Sequence, residues 1–340
     1  MNKLLKTICI WGIFFLNFNF IFAQAFFKDG IFYQTIDEER VIVVKNPNEG
    51  YYGEINIPKE VSILGKEKNF KVVGIKYNAF SNCPNLISID MKNCNISVLP
   101  EFLFFNCINL KNVQFPISLK SIGSNSFVNC NNISVLQIPD GVEIVDDFAF
   151  SECHNLEAVY LPDSLKYLGQ GAFKNCDKLT NIALSKNLEF IEESCFENCR
   201  SLKHVFFGDK VKKIGKFAFK NCTRLENTDF PPSLETIRLS AFARCDNMTE
   251  ICLPENIKEL SSTSFGYCFG IEKIIFKGQR PPKKFAYDAF IYPDSPFPEL
   301  RRLEIIIPEG AIKNFKGKIE SKIKNRSCFL KEENEIVLYP

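Results

Sequence analysis

Apolar positions recur along most of this chain with a period of 23 residues. In each copy a phenylalanine is followed three residues later by a cysteine, and three residues after that by a large apolar side chain, as in Phe150, Cys153 and Leu156. A fixed period of about 20–30 residues indicates one small unit stacked upon itself, so we predict a solenoid. The repeated phenylalanines and cysteines are Phe80, Phe104, Phe127, Phe150, Phe173, Phe196, Phe219, Phe242 and Phe265, and Cys83, Cys107, Cys130, Cys153, Cys176, Cys199, Cys222, Cys245 and Cys268.

Each unit contains two extended segments and a compact turn. Val159 and Leu161 alternate with exposed positions, and a period of two is typical of a strand with one buried face. Pro162 follows, where a strand end tolerates the missing N–H. Leu165 and Leu168 predict a second extended segment, and the residues up to the next cysteine predict a tight turn or one short helical turn.

A single unit cannot fold alone, because ordering its backbone costs more free energy than burying its apolar side chains returns. Neighbouring units must therefore cover one another, and we expect their strands to form one parallel sheet with a spacing of about 4.8 Å. The first unit has one irregularity. Its second apolar pair, Ile96 and Leu99, comes one position late, which predicts a one-residue insertion at the corner after the first strand.

The unit Ala-Phe-x-Asn-Cys-x-x-Leu-x-x-Val-x-Leu-Pro resembles the BspA-like leucine-rich repeats of bacterial surface and secreted proteins. Residues 29–33 and 305–310 are similar to the strands that flank such repeats. The resemblance implies a leucine-rich-repeat solenoid of the right-handed β/α superhelix class, with a parallel β-sheet on the concave face, short strands and helical turns on the other faces, and a β-rich N-terminal cap. It also implies adhesion or ligand binding at a cell surface, and it carries over no catalytic residue.

The N-terminal residues predict export. Residues 1–25 have the pattern of a cleaved secretory signal peptide, with Lys3 and Lys6 before an apolar stretch and small residues at its end. A membrane anchor is the alternative, although two asparagines interrupt the stretch and it is short for a span. No later run predicts a transmembrane segment in the mature chain. The predicted location is therefore secreted or at the cell surface.

Caps are predicted at both ends of the repeats, which number about nine and occupy residues 71–280. Residues 26–70 predict a β-rich cap, and residues 281–340 predict a degenerate last repeat followed by a C-terminal cap. Within the latter, residues 309–330 predict a helix. In the first cap, residues 30–36 and 40–45 predict two strands of a hairpin. Residues 53–58 and 69–75 predict two further strands.

Fourteen cysteines in an exported chain would ordinarily suggest disulfides. In a parallel ladder, however, equivalent thiols point the same way, so we predict reduced, buried side chains, with disulfides or a metal site as alternatives. Cys94, Cys252 and Cys328 lie off the ladder. The asparagines that precede several ladder cysteines are expected to bond to the backbone of the turn.

Function is predicted on the strand positions that face solvent, because these do not repeat. Among them Tyr160, His204 and Phe206 form the candidate ligand-binding site, since exposed aromatic side chains favour binding. A solvated face without a ligand is the alternative interpretation. With 42 basic and 40 acidic residues, the chain lacks the excess of positive charge that would indicate nucleic-acid binding.

An enzyme is not expected. The chain has two histidines, His154 and His204, and neither has a partner at ligand or triad spacing. No glycine-rich phosphate loop is present either, and we expect no cofactor or metal site. The predicted function is non-catalytic binding of a host or matrix protein or of a glycan. The alternative is a structural or assembly module without a dedicated ligand.

Overall fold

The computed structural model describes residues 24–48, 50–63, 68–286, 288–290, 303–320, 328–332 and 335–337. The predicted signal peptide, residues 1–25, lies outside these residues except for its last two. The first six strands are β1 (Ala25–Lys28), β2 (Ile31–Thr35), β3 (Arg40–Val43), β4 (Gly53–Asn56), β5 (Glu60–Ser62) and β6 (Asn69–Ile75). Five of them form one sheet in the order β1-β2-β3-β6-β5. The predicted hairpin is present in it, since β2 and β3 pair antiparallel.

The first extended segment of each unit forms what we call the first face of the solenoid. Its strands are parallel as far as β25 and stack in the blocks β4-β7-β9, β11-β13-β15-β17 and β20-β22-β24-β25-β26. The ranges are β7 (Leu86–Asp90), β9 (Asn112–Gln114), β11 (Val135–Gln137), β13 (Ala158–Tyr160), β15 (Asn181–Ala183), β17 (His204–Phe206), β20 (Glu250–Leu253), β22 (Lys273–Phe276), β24 (Leu303–Ile307), β25 (Cys328–Glu332) and β26 (Glu335–Val337).

The second extended segment forms a second face, whose strands are only two residues long. They are also parallel, in the blocks β8-β10-β12-β14 and β16-β18-β19-β21-β23. The ranges are β8 (Val98–Leu99), β10 (Ser121–Ile122), β12 (Ile144–Val145), β14 (Tyr167–Leu168), β16 (Phe190–Ile191), β18 (Lys213–Ile214), β19 (Thr236–Ile237), β21 (Glu259–Leu260) and β23 (Lys284–Phe285).

The register of these strands locates the predicted insertion. On the first face Ser88 pairs with Asn112, a separation of 24 residues. On the second face Val98 pairs with Ser121, a separation of 23. The extra residue therefore lies between Asp90 and Val98, at the corner after the first strand, as the shift of Ile96 and Leu99 predicts.

The third side of each unit is a turn, and the helical turns implied by the family resemblance are absent from the described repeats. The reason lies in the hydrogen bonds. The Phe104 N–H donates to the Ser126 carbonyl of the next unit at 2.7 Å, whereas the neighbouring Phe105 N–H donates back to the Phe102 carbonyl at 3.3 Å. Every second backbone N–H of the turn donates a hydrogen bond to the next unit. These N–H groups are therefore not available for the i to i−4 hydrogen bonds of an α-helix.

The helix predicted over residues 309–330 is shorter in the structure. The described helix α1 covers Ile312–Glu320, and residues 328–330 belong instead to β25, which pairs in parallel with β24. A strand satisfies the backbone groups along the edge of β24, which a helix lying beside it could not do. The prediction of a continuous helix was therefore wrong at its C-terminal end.

The core is a column of phenylalanine rings, one from each unit. Phe173 stacks on Phe150 and Phe196, with ring centroids 5.4 Å and 5.7 Å apart and ring planes within 8°. Similar contacts run from Phe80 to Phe290. The rings from Phe80 to Phe265 are fully buried, because each one covers the face of its neighbour.

The ladder cysteines lie beside this column and have a role that the sequence did not indicate. In eight consecutive units the cysteine Sγ–H donates to the carbonyl oxygen of the phenylalanine in the preceding unit, at 2.9–3.3 Å. All twelve cysteines whose side chains are described are free thiols, and eleven are buried. These eight cysteines thus fill the core and bond one unit to the next.

Thiol reagents are expected to report this arrangement. In the native protein a polar reagent such as Ellman's reagent should react with few thiols, because burial raises the pKa of Cys107 and Cys153 to about 12 and limits access. After denaturation most thiols should react. Parallel titrations with and without guanidinium measure both numbers, and finding nearly all cysteines oxidised after denaturation would contradict the assignment.

The residue before each ladder cysteine adopts a left-handed backbone conformation, with φ between 56° and 64°. Asparagine tolerates this conformation better than most residues, which explains its recurrence. The side chains do not bond to the turn backbone as predicted. Asn198 Nδ2 donates to Asn175 Oδ1 at 2.6 Å, and Asn221 donates to Asn198 at 2.7 Å, so the amides form a ladder between units.

Candidate functional site

The three predicted site residues lie on two strands of the first face. Tyr160 ends β13, and His204 and Phe206 begin and end β17. The Tyr160 and Phe206 side chains are 56% and 61% exposed. The alternation of each strand causes this, because Val159 and Val205 point into the core and leave the flanking side chains in solvent.

One strand, β15, lies between the two aromatic side chains. It pairs with β13 through Asn181 and Ala158, and with β17 through Ala183 and Phe206. Two strand spacings put the Tyr160 and Phe206 backbones about 9.6 Å apart. Ala183, which carries only a methyl group, is the residue of β15 beside Phe206 and lies between the two aromatic residues.

His204 lies close to Phe206 and to an acidic side chain. Its ring centroid is 6.4 Å from that of Phe206, at an angle of 38°. Its Nδ1 lies 3.8 Å from Glu226 Oε2, and both side chains are about half exposed. The histidine therefore adds a polar edge to the aromatic patch, with a carboxylate beside it.

The sheet ends next to Phe206. Residues 227–229 occupy the next rung but form no strand, so β17 has a strand neighbour on one side only. Asn227 Oδ1 accepts hydrogen bonds from the backbone N–H groups of Thr249 and Glu250, both at 2.9 Å. These side-chain hydrogen bonds replace the backbone pairing between strands of this rung and the next. Thr228 is the one polar residue at this buried position, and its hydroxyl donates to the Glu226 carbonyl. The aromatic patch thus lies at a discontinuity of the first face.

His154 has partners that sequence reasoning missed. Its Nδ1 lies 2.8 Å from Asp177 Oδ2, and its Nε2 lies 3.2 Å from Glu152 Oε2. Asp177 is 23 residues away, so only the stacking of units brings it into contact with His154. The prediction concerned ligand or triad spacing along the sequence and gave no indication of these partners. All three side chains are substantially exposed. Within the described part of the chain no group of His, Cys, Asp and Glu side chains is arranged to hold a metal ion.

The second face carries an exposed apolar stripe that the sequence analysis did not identify. Val98, Ile144, Tyr167 and Phe190 point outward from consecutive short strands, with Ser121 between the first two. The signal was visible in the sequence, because the residue before each buried position of the second segment is apolar at these points.

The two borders of the stripe carry different polar contacts, ion pairs on one side and a tyrosine–carboxylate hydrogen bond on the other. Along one border Lys166 pairs with Glu143 at 2.7 Å, and equivalent pairs recur in later units. Along the other, the Tyr167 hydroxyl donates to Asp147 Oδ1 at 3.2 Å. Burial and the Asp147 carboxylate raise the pKa of Tyr167 to about 12. The phenol therefore stays protonated and keeps this hydrogen bond at neutral pH.

Comparison with known proteins identifies the fold. A family model described as "BspA type Leucine rich repeat region" matches residues 73–203 and 167–292, in six copies. The chain belongs to this family of BspA type leucine-rich repeat proteins. The family resemblance inferred from the repeat is thereby confirmed, and so is the leucine-rich-repeat solenoid with stacked parallel strands.

Solved structures of leucine-rich repeat proteins are similar to this BspA type chain. The leucine-rich repeat protein TpLRR from T. pallidum is 25% identical, covering 59% of this chain and 91% of its own, with a TM-score of 0.50. A leucine-rich repeat protein from Bacteroides ovatus is 22% identical over 90% of this chain and 99% of its own, with a TM-score of 0.47. A leucine-rich cell surface protein from Faecalibacterium prausnitzii is 21% identical over 80% and 96%, with a TM-score of 0.36.

A search of curated proteins found no match. Among the residues that the structure describes, no helix has the length and hydrophobicity needed to cross a bilayer.

Proposed function

We propose that this protein is a non-catalytic binding protein, secreted or held at the cell surface, that adheres to a host or matrix protein or to a glycan through the first face. One observation carries the proposal. Tyr160 and Phe206 are more than half exposed on a sheet whose other side is a fully packed core. Exposed aromatic side chains on a rigid support contribute contact area at little cost in conformational entropy.

The scaffold favours a protein ligand within this proposal. Leucine-rich repeat solenoids present an extended surface of many rungs, which suits a partner with a large interface. Tyr160 and Phe206 are both more than half exposed on this surface, whereas the binding sites of small ligands usually enclose them. The proposed location rests on the signal pattern of residues 1–25 and on the surface and secreted proteins that share this type of repeat.

The first face is tested by replacing both aromatic residues with alanine. Against a panel of matrix proteins and a glycan array, the unaltered protein is expected to retain at least one ligand. The Tyr160→Ala, Phe206→Ala variant should bind it at least about tenfold more weakly, because two exposed anchors are lost. Surface plasmon resonance measures the affinity. The melting temperature should stay unchanged, since neither side chain is in the core.

Phe190→Ala is the matched control, because it removes an exposed phenylalanine from the second face. Equal loss of binding in this control, or full binding of every retained ligand by the double variant, would contradict the assignment to the first face. The second candidate function is assembly without a ligand, favoured by the apolar stripe of Val98, Ile144, Tyr167 and Phe190. Ligand-free oligomers that Phe190→Ala dissociates, seen by light scattering, would support that alternative.

A further inference from the structure

A cleft opens near the N-terminal end of the solenoid, well away from the aromatic patch of the first face. It lies between the β1–β2 hairpin and the start of β4, and its volume is about 650 Å³. This volume is in the range of clefts that hold small molecules, about 300–1,000 Å³. The residues that form it come from the segment before the first complete repeat.

Aromatic side chains are part of the lining of this N-terminal cleft. Phe27 is 58% exposed, and its ring centroid lies 4.8 Å from that of Phe32. Tyr52 is 69% exposed and also lines the cleft. Two exposed ring faces therefore border one cavity, where hydrophobic contact with a ligand would remove both from water.

The cleft is pre-formed by partly buried hydrogen bonds. The Tyr51 hydroxyl donates to the Val44 carbonyl at 2.6 Å and accepts the Phe32 N–H at 3.1 Å, which joins the hairpin to the start of the solenoid. Asn46 Nδ2 donates to the Gly50 carbonyl at 2.6 Å and holds the loop that forms one border. A pre-formed site loses little conformational entropy when a ligand binds.

The polar groups of the cleft are amides and carboxylates. Asn46, Asn48, Asp29 and Glu54 line it, and none of its described lining residues is lysine or arginine. Asp29 has a loose contact with Lys28 at 3.9 Å, on an exposed part of the hairpin. Carboxylates without cations in the lining repel anions, whereas they accept hydrogen bonds from hydroxyl groups.

We propose that the N-terminal cleft binds a neutral saccharide. Sugar rings have apolar C–H faces that stack on aromatic rings, and hydroxyl groups at their edges that pair with carboxylates and amides. The cleft offers both kinds of group in its lining, and its volume accommodates roughly two or three sugar rings. The Asp29 and Glu54 carboxylates disfavour sialylated, uronic or sulfated saccharides at this site. The site is independent of the binding proposed for the first face.

The test uses the purified protein on an array of neutral, sialylated and sulfated oligosaccharides, followed by calorimetric titration of the strongest neutral binder. Binding of a neutral saccharide is expected, and Tyr52→Ala should weaken it about tenfold by removing one stacking face. Tyr77→Ala is the matched control, because Tyr77 is an exposed tyrosine outside the cleft. This control should leave the affinity within about twofold, as surface substitutions away from a site do.

Two further variants test the chemistry of the cleft and its independence from the first face. Glu54→Gln should retain most of the affinity, since an amide oxygen still accepts a hydroxyl hydrogen bond. The Tyr160→Ala, Phe206→Ala variant should bind the saccharide normally, so failure of one site does not imply failure of the other. The proposal is overturned if no neutral saccharide binds, if only anionic ones do, if Tyr52→Ala has no effect, or if the bound molecule is a cation that Glu54→Gln releases.

Discussion

Replacing Phe173 by alanine is expected to lower the free energy of unfolding by about 3–5 kcal/mol. Phe173 is fully buried and stacks on the rings of both neighbouring units, so alanine leaves a cavity in the middle of the phenylalanine column. Each unit is stable only through its neighbours, and this substitution weakens two interfaces at once. Urea denaturation followed by circular dichroism measures the loss. A second unfolding transition is also expected, as the two halves of the solenoid lose cooperativity.

Two variants control for the chemistry of this substitution. Phe206→Ala removes the same atoms from an exposed position and should change stability by no more than about 0.5 kcal/mol. Phe173→Leu keeps most of the buried volume and should cost less than Phe173→Ala, because the cavity is smaller. A loss below about 1 kcal/mol for Phe173→Ala would show that the column is not what holds the units together.

Alkaline pH is expected to unfold the protein from about pH 9 upward. Burial raises the pKa of Cys94 to about 11 and of Cys107 and Cys153 to about 12, and it raises the pKa of seven further thiols. Below about pH 9 these thiols are protonated in both states. Above it the unfolded chain loses protons first, so stability falls by about 1.4 kcal/mol per thiol and per pH unit until the folded thiols ionise.

The summed effect should exceed the stability of an ordinary domain, about 5–15 kcal/mol, within roughly one to two pH units. Urea denaturation at several pH values between about 8 and 10, with a reductant present, measures the slope of the unfolding free energy against pH. The variant Cys130→Ala, Cys176→Ala removes two thiols whose pKa is raised by burial and should have a shallower slope. A free energy that stays constant over this range would contradict the burial of the ladder.

The repeat predicted the ladder but not all of its chemistry. The position of each cysteine, between a buried phenylalanine and a buried leucine, indicated a buried thiol. The hydrogen bond from Cys107 Sγ to the Phe80 carbonyl could not be predicted, because it joins two units across 27 residues. The same limit applies to Asn198, whose amide partner is Asn175 in the preceding unit rather than its own turn.

The turn shows where local reasoning leaves two alternatives open. The short sequence of the turn is compatible with a helical turn and with a tight turn, since both place Phe104 and Cys107 on the buried side. The hydrogen bonds that Phe104 and Asn106 donate to the next unit decide between them. Such bonds are absent from an isolated unit, so the family resemblance alone did not identify this geometry.

The candidate sites were predictable to different extents. The outward direction of Tyr160 and Phe206 follows from strand alternation, which is a local property. Their separation by Ala183 and the end of the sheet at Asn227 depend on pairing between units. The N-terminal cleft was missed altogether, because Phe27 and Tyr52 are 25 residues apart in sequence and line one cavity only in the folded chain.

The sequence by itself determined the period, the buried positions, the parallel stacking of units and the place of the one-residue insertion. These properties depend on which positions are apolar and on the regular repetition of the unit, and both can be identified directly in the sequence. Only the tertiary structure decided that the turns are not helical, that thiols and amides link successive units, that the second face carries an apolar stripe, and where a cleft opens. Each of these depends on partners more than 20 residues away, and the sequence does not specify which groups those partners present until the units are stacked.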